Sequence, residues 1–162
     1  MWLWRKRVDV VQAPSTGDDA AAALTMILRY YGRQVTIEEV RRAIDVEHGG
    51  GWTAAKVVEA AERFRLRGRG LGVEHPAQLA TLSIPNIAHM ASERGRFPRS
   101  LEGGLDGHFV VVTAISPRRV CWIDPYVGQI TDEPAEFLEF ASGVFLVFDE
   151  AIPLPRAKLP PS

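Results

Sequence analysis

The run His108-Phe109-Val110-Val111-Val112-Thr113-Ala114-Ile115 limits the fold more than any other stretch. It is nearly continuous, apolar and β-branched, the pattern of a strand covered on both faces. Such a strand requires structure on each side of its sheet. Val120 to Asp124 follows after a Ser-Pro-Arg-Arg turn, so the two runs read as a hairpin. Gly128 to Thr131 reads as a further strand, Pro134 to Phe140 as a helical turn or two, and Val144 to Phe148 as a last buried strand. Ile84 to Ala88, beside Pro85, is a shorter apolar run of the same kind.

The first half has the other periodicity. After Asp18-Asp19, apolar side chains fall at Leu24, Ile27, Leu28 and Tyr31, one face of a helix that Gly32 ends. Asp19 is expected to cap that helix through its carboxylate. Thr36-Ile37-Glu38-Glu39 reads as a capping box opening a second helix, with Ile37, Val40 and Ile44 inward. A third helix follows Gly49-Gly50-Gly51, with Val57, Ala61 and Phe64 on one face. Helices first and antiparallel strands second is an α+β order. Residues 1–150 are expected to form one domain, and 151–162, which holds four of the 11 prolines, a loose tail.

Composition removes several classes of function. With 46% hydrophobic and 24% charged residues, the chain is too apolar for disorder. Nineteen basic against 20 acidic side chains give no overall pull toward nucleic acid, and no nucleic-acid partner is expected. The single cysteine, Cys121, excludes an internal disulfide and a zinc site built on cysteine pairs. No apolar run approaches the roughly 18 residues of a membrane span. Met1-Trp2-Leu3-Trp4-Arg5-Lys6-Arg7 has its charges after its apolar residues, the reverse of a signal peptide. Its indoles either pack on the body or sit in a membrane interface. Gly49-Gly50-Gly51 lacks the Lys-Ser/Thr that a P-loop requires, and His48, His75 and His89 have no ligand spacing. Arg63, Arg65, Arg67 and Arg69 alternate and would share one strand face, as a solvated edge or as a contact for an acidic partner.

Nucleophilic catalysis needs an attacking group, a base, a residue that orients the base, and an oxyanion donor. His108 opens the strongest strand and Asp124 ends the next, so a hairpin brings them to one edge of the sheet. Catalytic and structural histidine–aspartate pairs both fit that placement.

The same residues carry a family resemblance. Val8-Asp9-Val10-Val11-Gln12, then Asp19-Ala20-Ala21-Ala22-Ala23-Leu24-Thr25-Met26-Ile27-Leu28-Arg29-Tyr30-Tyr31-Gly32-Arg33, resembles the opening of the bacteriocin-processing cysteine peptidases. The likeness continues through Thr36 to Arg41, Ile84-Pro85-Asn86-Ile87-Ala88-His89, His108 to Val112, Ile123-Asp124-Pro125, Gly128, Phe137 and Gly143. These are papain-like domains, usually fused to ABC exporters, that cut peptide leaders after a double glycine. The resemblance implies a papain-like fold with the helical half packed on an antiparallel sheet. It implies Gln12 as oxyanion-hole residue, His108 as general base and Asp124 as the carboxylate that orients it.

The family's nucleophile is absent. Aligned back from Leu24, its Cys-Gly pair falls on Asp19-Ala20, with one extra residue after Gln12; aligned forward from Gln12, it falls on Asp18-Asp19. Neither register supplies a thiol. Cys121 does not replace it, because strand alternation puts Cys121 with Ile123 and Asp124 with Trp122 on the opposite face; Cys121 is expected as a small buried hydrophobe. Asp19 is a poor nucleophile toward an amide, and losing a triad nucleophile costs about 10⁶ in turnover. A metal on Asp19, His108 and Asp124 is the remaining enzymatic possibility. The stretch from Met90 to Gly107 is longer than the family's usual connection there, as a lid, a partner contact or a plain loop.

The expectation is therefore a peptidase-like domain without cleavage, holding no metal and no cofactor. Gln12, His108 and Asp124 form a remnant site with Asp19 at the nucleophile position. The partner is a peptide or protein, in peptide export or maturation. The alternatives are an accessory subunit of a membrane assembly and a hydrolase using Asp19 or a metal. The location is cytoplasmic, with membrane association through an exporter or through Trp2, Trp4 and the basic run.

Overall fold

The computed structural model describes residues 6–43, 52–91 and 107–151. Trp2, Trp4, Ile44, His48, Gly49 to Gly51, most of the 90–107 connection and the tail after Ala151 lie outside the described residues. Three helices come first: α1 (Asp19–Tyr30), α2 (Ile37–Ala43) and α3 (Ala54–Arg63). The remaining elements are β1 (Leu66–Gly72), α4 (Pro76–Leu79), β2 (Asn86–Met90), β3 (His108–Ile115), β4 (Val120–Asp124), β5 (Gly128–Asp132), α5 (Pro134–Phe140) and β6 (Ala141–Ala151). The strands form one sheet in the order β1-β6-β2-β3-β4-β5, every pair antiparallel.

β3 is covered on both sides, as its composition requires. Phe109 and Val111 join the core beneath α1, α2 and α3, while Val110 and Val112 join a second core with α4 and α5. α1 is buried from Asp19 through Leu28, on every face rather than along one stripe. Ala20 to Ala23 supply so little side chain that the helix lies close against β3 while α2 and α3 close over its far side. In the second core Trp122, Phe137 and Phe145 are nearly or fully buried, each stabilising by about 2–3 kcal/mol relative to exposure. The Trp122 indole N–H donates to Asp132 Oδ2 at 3.1 Å, so its polar tip is also satisfied.

Helix ends follow their sequence signals, with one correction. Glu39 N–H donates to Thr36 Oγ1 at 3.2 Å, and Thr53 Oγ1 accepts from Lys56 N–H to start α3. The cap position of α1 belongs to Asp18, and neither aspartate caps through its side chain. Asp18 is drawn off by Arg41 Nε at 3.2 Å and by the Ser15 hydroxyl at 2.6 Å. Asp19 is the first helical residue, and its carboxylate turns toward the sheet.

The four alternating arginines do not share a strand. Arg63 ends α3, and Arg65 has φ of 64° in the turn between them, so only Arg67 and Arg69 lie in β1. Gly107 sets the entry to β3: its φ is +101°, and a Cβ there would collide with the Met90 carbonyl oxygen.

Candidate functional site

The N-terminus of α1, the start of β3 and the end of β4 converge at one end of the sheet. His108 and Asp124 side chains, on neighbouring strands, meet with Nε2 2.6 Å from Oδ2. A carboxylate accepts, so Nε2 carries the hydrogen in this pair, which puts the basic lone pair of a neutral ring on Nδ1. Asp124 is fully buried. Its other oxygen accepts the Tyr126 backbone N–H at 2.7 Å, an Asx turn that closes the β4–β5 connection.

Asp19 joins the same site by a different route. Its Oδ2 accepts the Phe109 backbone N–H at 2.8 Å, one residue beyond His108. Its Oδ1 accepts the Tyr126 hydroxyl at 3.0 Å, and that hydroxyl in turn accepts the Gly17 N–H at 2.9 Å. Both carboxylate oxygens are therefore engaged, and together they pin the start of α1 to β3 and to the β4–β5 turn. Asp18, which points away to Arg41, takes no part.

Gln12 is less tightly placed. It is exposed and makes no side-chain hydrogen bond among the described residues. Its neighbour Ala13 donates N–H to the Pro125 carbonyl at 2.8 Å, which holds this segment beside the β4–β5 turn.

Tyr126 is the residue that sequence reasoning passed over. The Asp-Pro-Tyr sequence signals the Asx turn, yet nothing local shows that the phenol reaches a helix start more than a hundred positions earlier. Burial and then the Asp19 carboxylate push its pKa up to about 12. Stability contributed by the protonated phenol is complete below the unfolded value near 10 and falls as pH rises from about 10 to about 12. In an alkaline titration followed at 295 nm, Tyr126 accordingly ionises late, and Tyr126→Phe removes that late step. Asp19→Asn moves it toward 10; an unchanged midpoint would show that the carboxylate does not act on the phenol.

Cys121 sits elsewhere. It lies on the opposite face of β4 from Trp122 and Asp124, as alternation requires, but it is half-buried rather than buried. It lines an open cleft of about 1000 Å³ with Lys6, Arg7, Tyr30, Thr113 and Thr131. Tyr30 ends α1 and Thr113 lies near the end of β3, so this cleft is at the far end of the sheet from His108. His89 lies closer to the site, packed edge-on against Phe109 with Nδ1 2.9 Å from the Ser142 hydroxyl.

Residues 7–151 match the model of the Peptidase C39 family. The chain belongs to that family. A lactococcin-G-processing and transport ATP-binding protein of Lactococcus lactis subsp. lactis is 28% identical to the C39 chain over 153 residues, 90% of it. A probable microcin-H47 secretion/processing ATP-binding protein of Escherichia coli is 25% identical over 143 residues, 88% of it. The C39 chain spans only 18% of the length of each. Among solved structures, a double glycine motif protease from an AMS/PCAT transporter, in complex with its leader peptide, superposes with a TM-score of 0.73 at 28% identity. That match covers 89% of this chain and 92% of the other. The peptidase domain of Streptococcus ComA superposes at 0.72 with 20% identity, covering 89% and 99%. The papain-like α+β fold implied by the sequence is thus the fold of the C39 chain. No helix among its described residues is long and apolar enough to cross a membrane.

Proposed function

We propose that this C39 chain binds a peptide or protein partner without cutting it, in the setting of peptide export or maturation. The observation that carries the reading is the Asp19 carboxylate, engaged through both oxygens where the bacteriocin-processing peptidases have their thiol. Its bond to the strand residue next to His108 favours the alignment that puts Asp19, not Asp18, at the nucleophile position. A carboxylate is a weak nucleophile toward an amide, and this one would have to release Phe109 and Tyr126 to attack. A metal on Asp19, His108 and Asp124 has no support either, since no three such ligands are grouped for an ion among the described residues.

In this reading the partner segment lies where the start of α1 meets the ends of β3 and β4, with Gln12 and His108 as its polar contacts and buried Asp124 orienting His108 from behind. The curated relatives are secretion/processing or processing and transport ATP-binding proteins, and an exporter is the assembly we assign as partner. Fluorescence anisotropy with a labelled double-glycine leader peptide tests the binding. Saturable binding is expected, weakened roughly three- to tenfold by Gln12→Ala or His108→Ala, the range of one or two net hydrogen bonds. Alkylating Cys121 leaves it unchanged. Absence of saturable binding would favour a structural subunit instead.

A further inference from the structure

We propose that the outer edge of β1 accepts an acidic, extended segment of a partner protein as an additional strand. β1 is an end strand of the sheet, paired with β6 on one side and with no strand on the other among the described residues. An end strand presents a row of backbone N–H and C=O groups able to bind a further strand. The sequence of β1, Leu-Arg-Gly-Arg-Gly-Leu-Gly, gives that row two distinct sides.

On the side facing the helices, Gly68 and Gly70 carry no side chain; a Cβ on Gly68 would meet the Phe148 ring at 3.0 Å. That face is covered by Phe148 and Leu146 of β6, so an incoming strand meets no side chain from Gly68 or Gly70 themselves. On the other side Arg67 and Arg69 are exposed and, like half-buried Arg65 before them, have no ion partner among the described residues. Two positions apart on one face, they stand roughly 7 Å apart, the spacing of alternate side chains on a neighbouring strand. The whole chain carries a net charge of −1, so this cationic edge is a local feature. Charge at a strand edge keeps apolar strands away, but here its sign selects for glutamate or aspartate at alternate positions of the incomer. The opposite end strand, β5, has no basic residue and carries Asp132, so the two edges of the sheet are not equivalent.

Anisotropy with a short fluorescein-labelled peptide of alternating valine and glutamate tests the proposal on the full chain. Saturable binding is expected, and the double variant Arg67→Glu/Arg69→Glu weakens it by about tenfold or more, as two weak ion pairs would. The same charge change at exposed Arg118 and Arg119, in the β3–β4 turn, leaves it intact, and circular dichroism verifies folding of both variants. Methylating alternate backbone nitrogens of the peptide keeps its charge and removes its ability to pair, so binding is lost. Equal binding of the methylated peptide, with displacement by single-stranded RNA or phosphatidylglycerol vesicles, would reveal a plain anion patch and overturn the proposal. Failure of the unmethylated peptide to bind would overturn it as well.

Discussion

Asp19→Ala lowers the unfolding free energy by about 2–4 kcal/mol, measured by urea denaturation, because it removes two bonds to a carboxylate and strands a buried donor. The Phe109 N–H loses its acceptor, and the Tyr126 hydroxyl loses the group it donates to. A side chain that only capped α1 would cost about 0.5–2 kcal/mol. Tyr126→Phe removes the bond to Asp19 and the acceptor of the Gly17 N–H and costs about 1–2 kcal/mol, and a double-mutant cycle with Asp19→Ala returns a coupling of about 1 kcal/mol for the shared bond. Asp18→Ala is the comparison: its partners are an Arg41 that is 46% exposed and the Ser15 hydroxyl, and no buried backbone N–H depends on it, so the loss is about 1–2 kcal/mol. Equal losses at Asp18 and Asp19 would mean that the carboxylate does not tie α1 to the sheet.

Asp19→Cys, in a Cys121→Ser background, produces a thiol that reacts with iodoacetamide at neutral pH roughly tenfold faster than Cys121 does in the unaltered chain. A helix N-terminus and a neighbouring imidazole both lower a thiol pKa, and the thiolate is the reactive form. Position 19 begins α1 and lies against the residue after His108, whereas Cys121 faces the cleft at the other end of the sheet. His108→Ala should remove much of the gain. A thiol at position 19 that reacts no faster than Cys121 would show that more than the nucleophile has been lost here, with Tyr126 and the extra residue after Gln12 as the differences to pursue.

Much of this architecture could be read from the residues, and the exceptions have physical causes. β3, β4 and α5 begin and end where apolar runs and proline place them, and α1 ends before Gly32. β2 and β6 are strands as expected but shifted or extended, because their ends are set by pairing with neighbours rather than by their own composition. β1 gave almost no signal: arginine and glycine alternate along it, and its place in the sheet comes from its partner β6. α4 is four residues long, too short for periodicity to show.

The site divides in the same way. The meeting of His108 and Asp124 follows from two strand ends joined by a short turn. The destination of the Asp19 carboxylate does not, because one partner is a backbone N–H and the other a tyrosine 107 positions away. From sequence alone an aspartate at a helix start reads as a cap, and only tertiary packing turns it toward the sheet.

The claim that the chain recognises a leader without cutting it is tested most directly by mass spectrometry of double-glycine leader peptides incubated with the purified chain. The account predicts peptides of unchanged mass after prolonged incubation, under conditions where anisotropy shows them bound. Cleavage after the double glycine, abolished by Asp19→Asn or His108→Ala, would contradict it and identify a working hydrolase with a carboxylate at the nucleophile position.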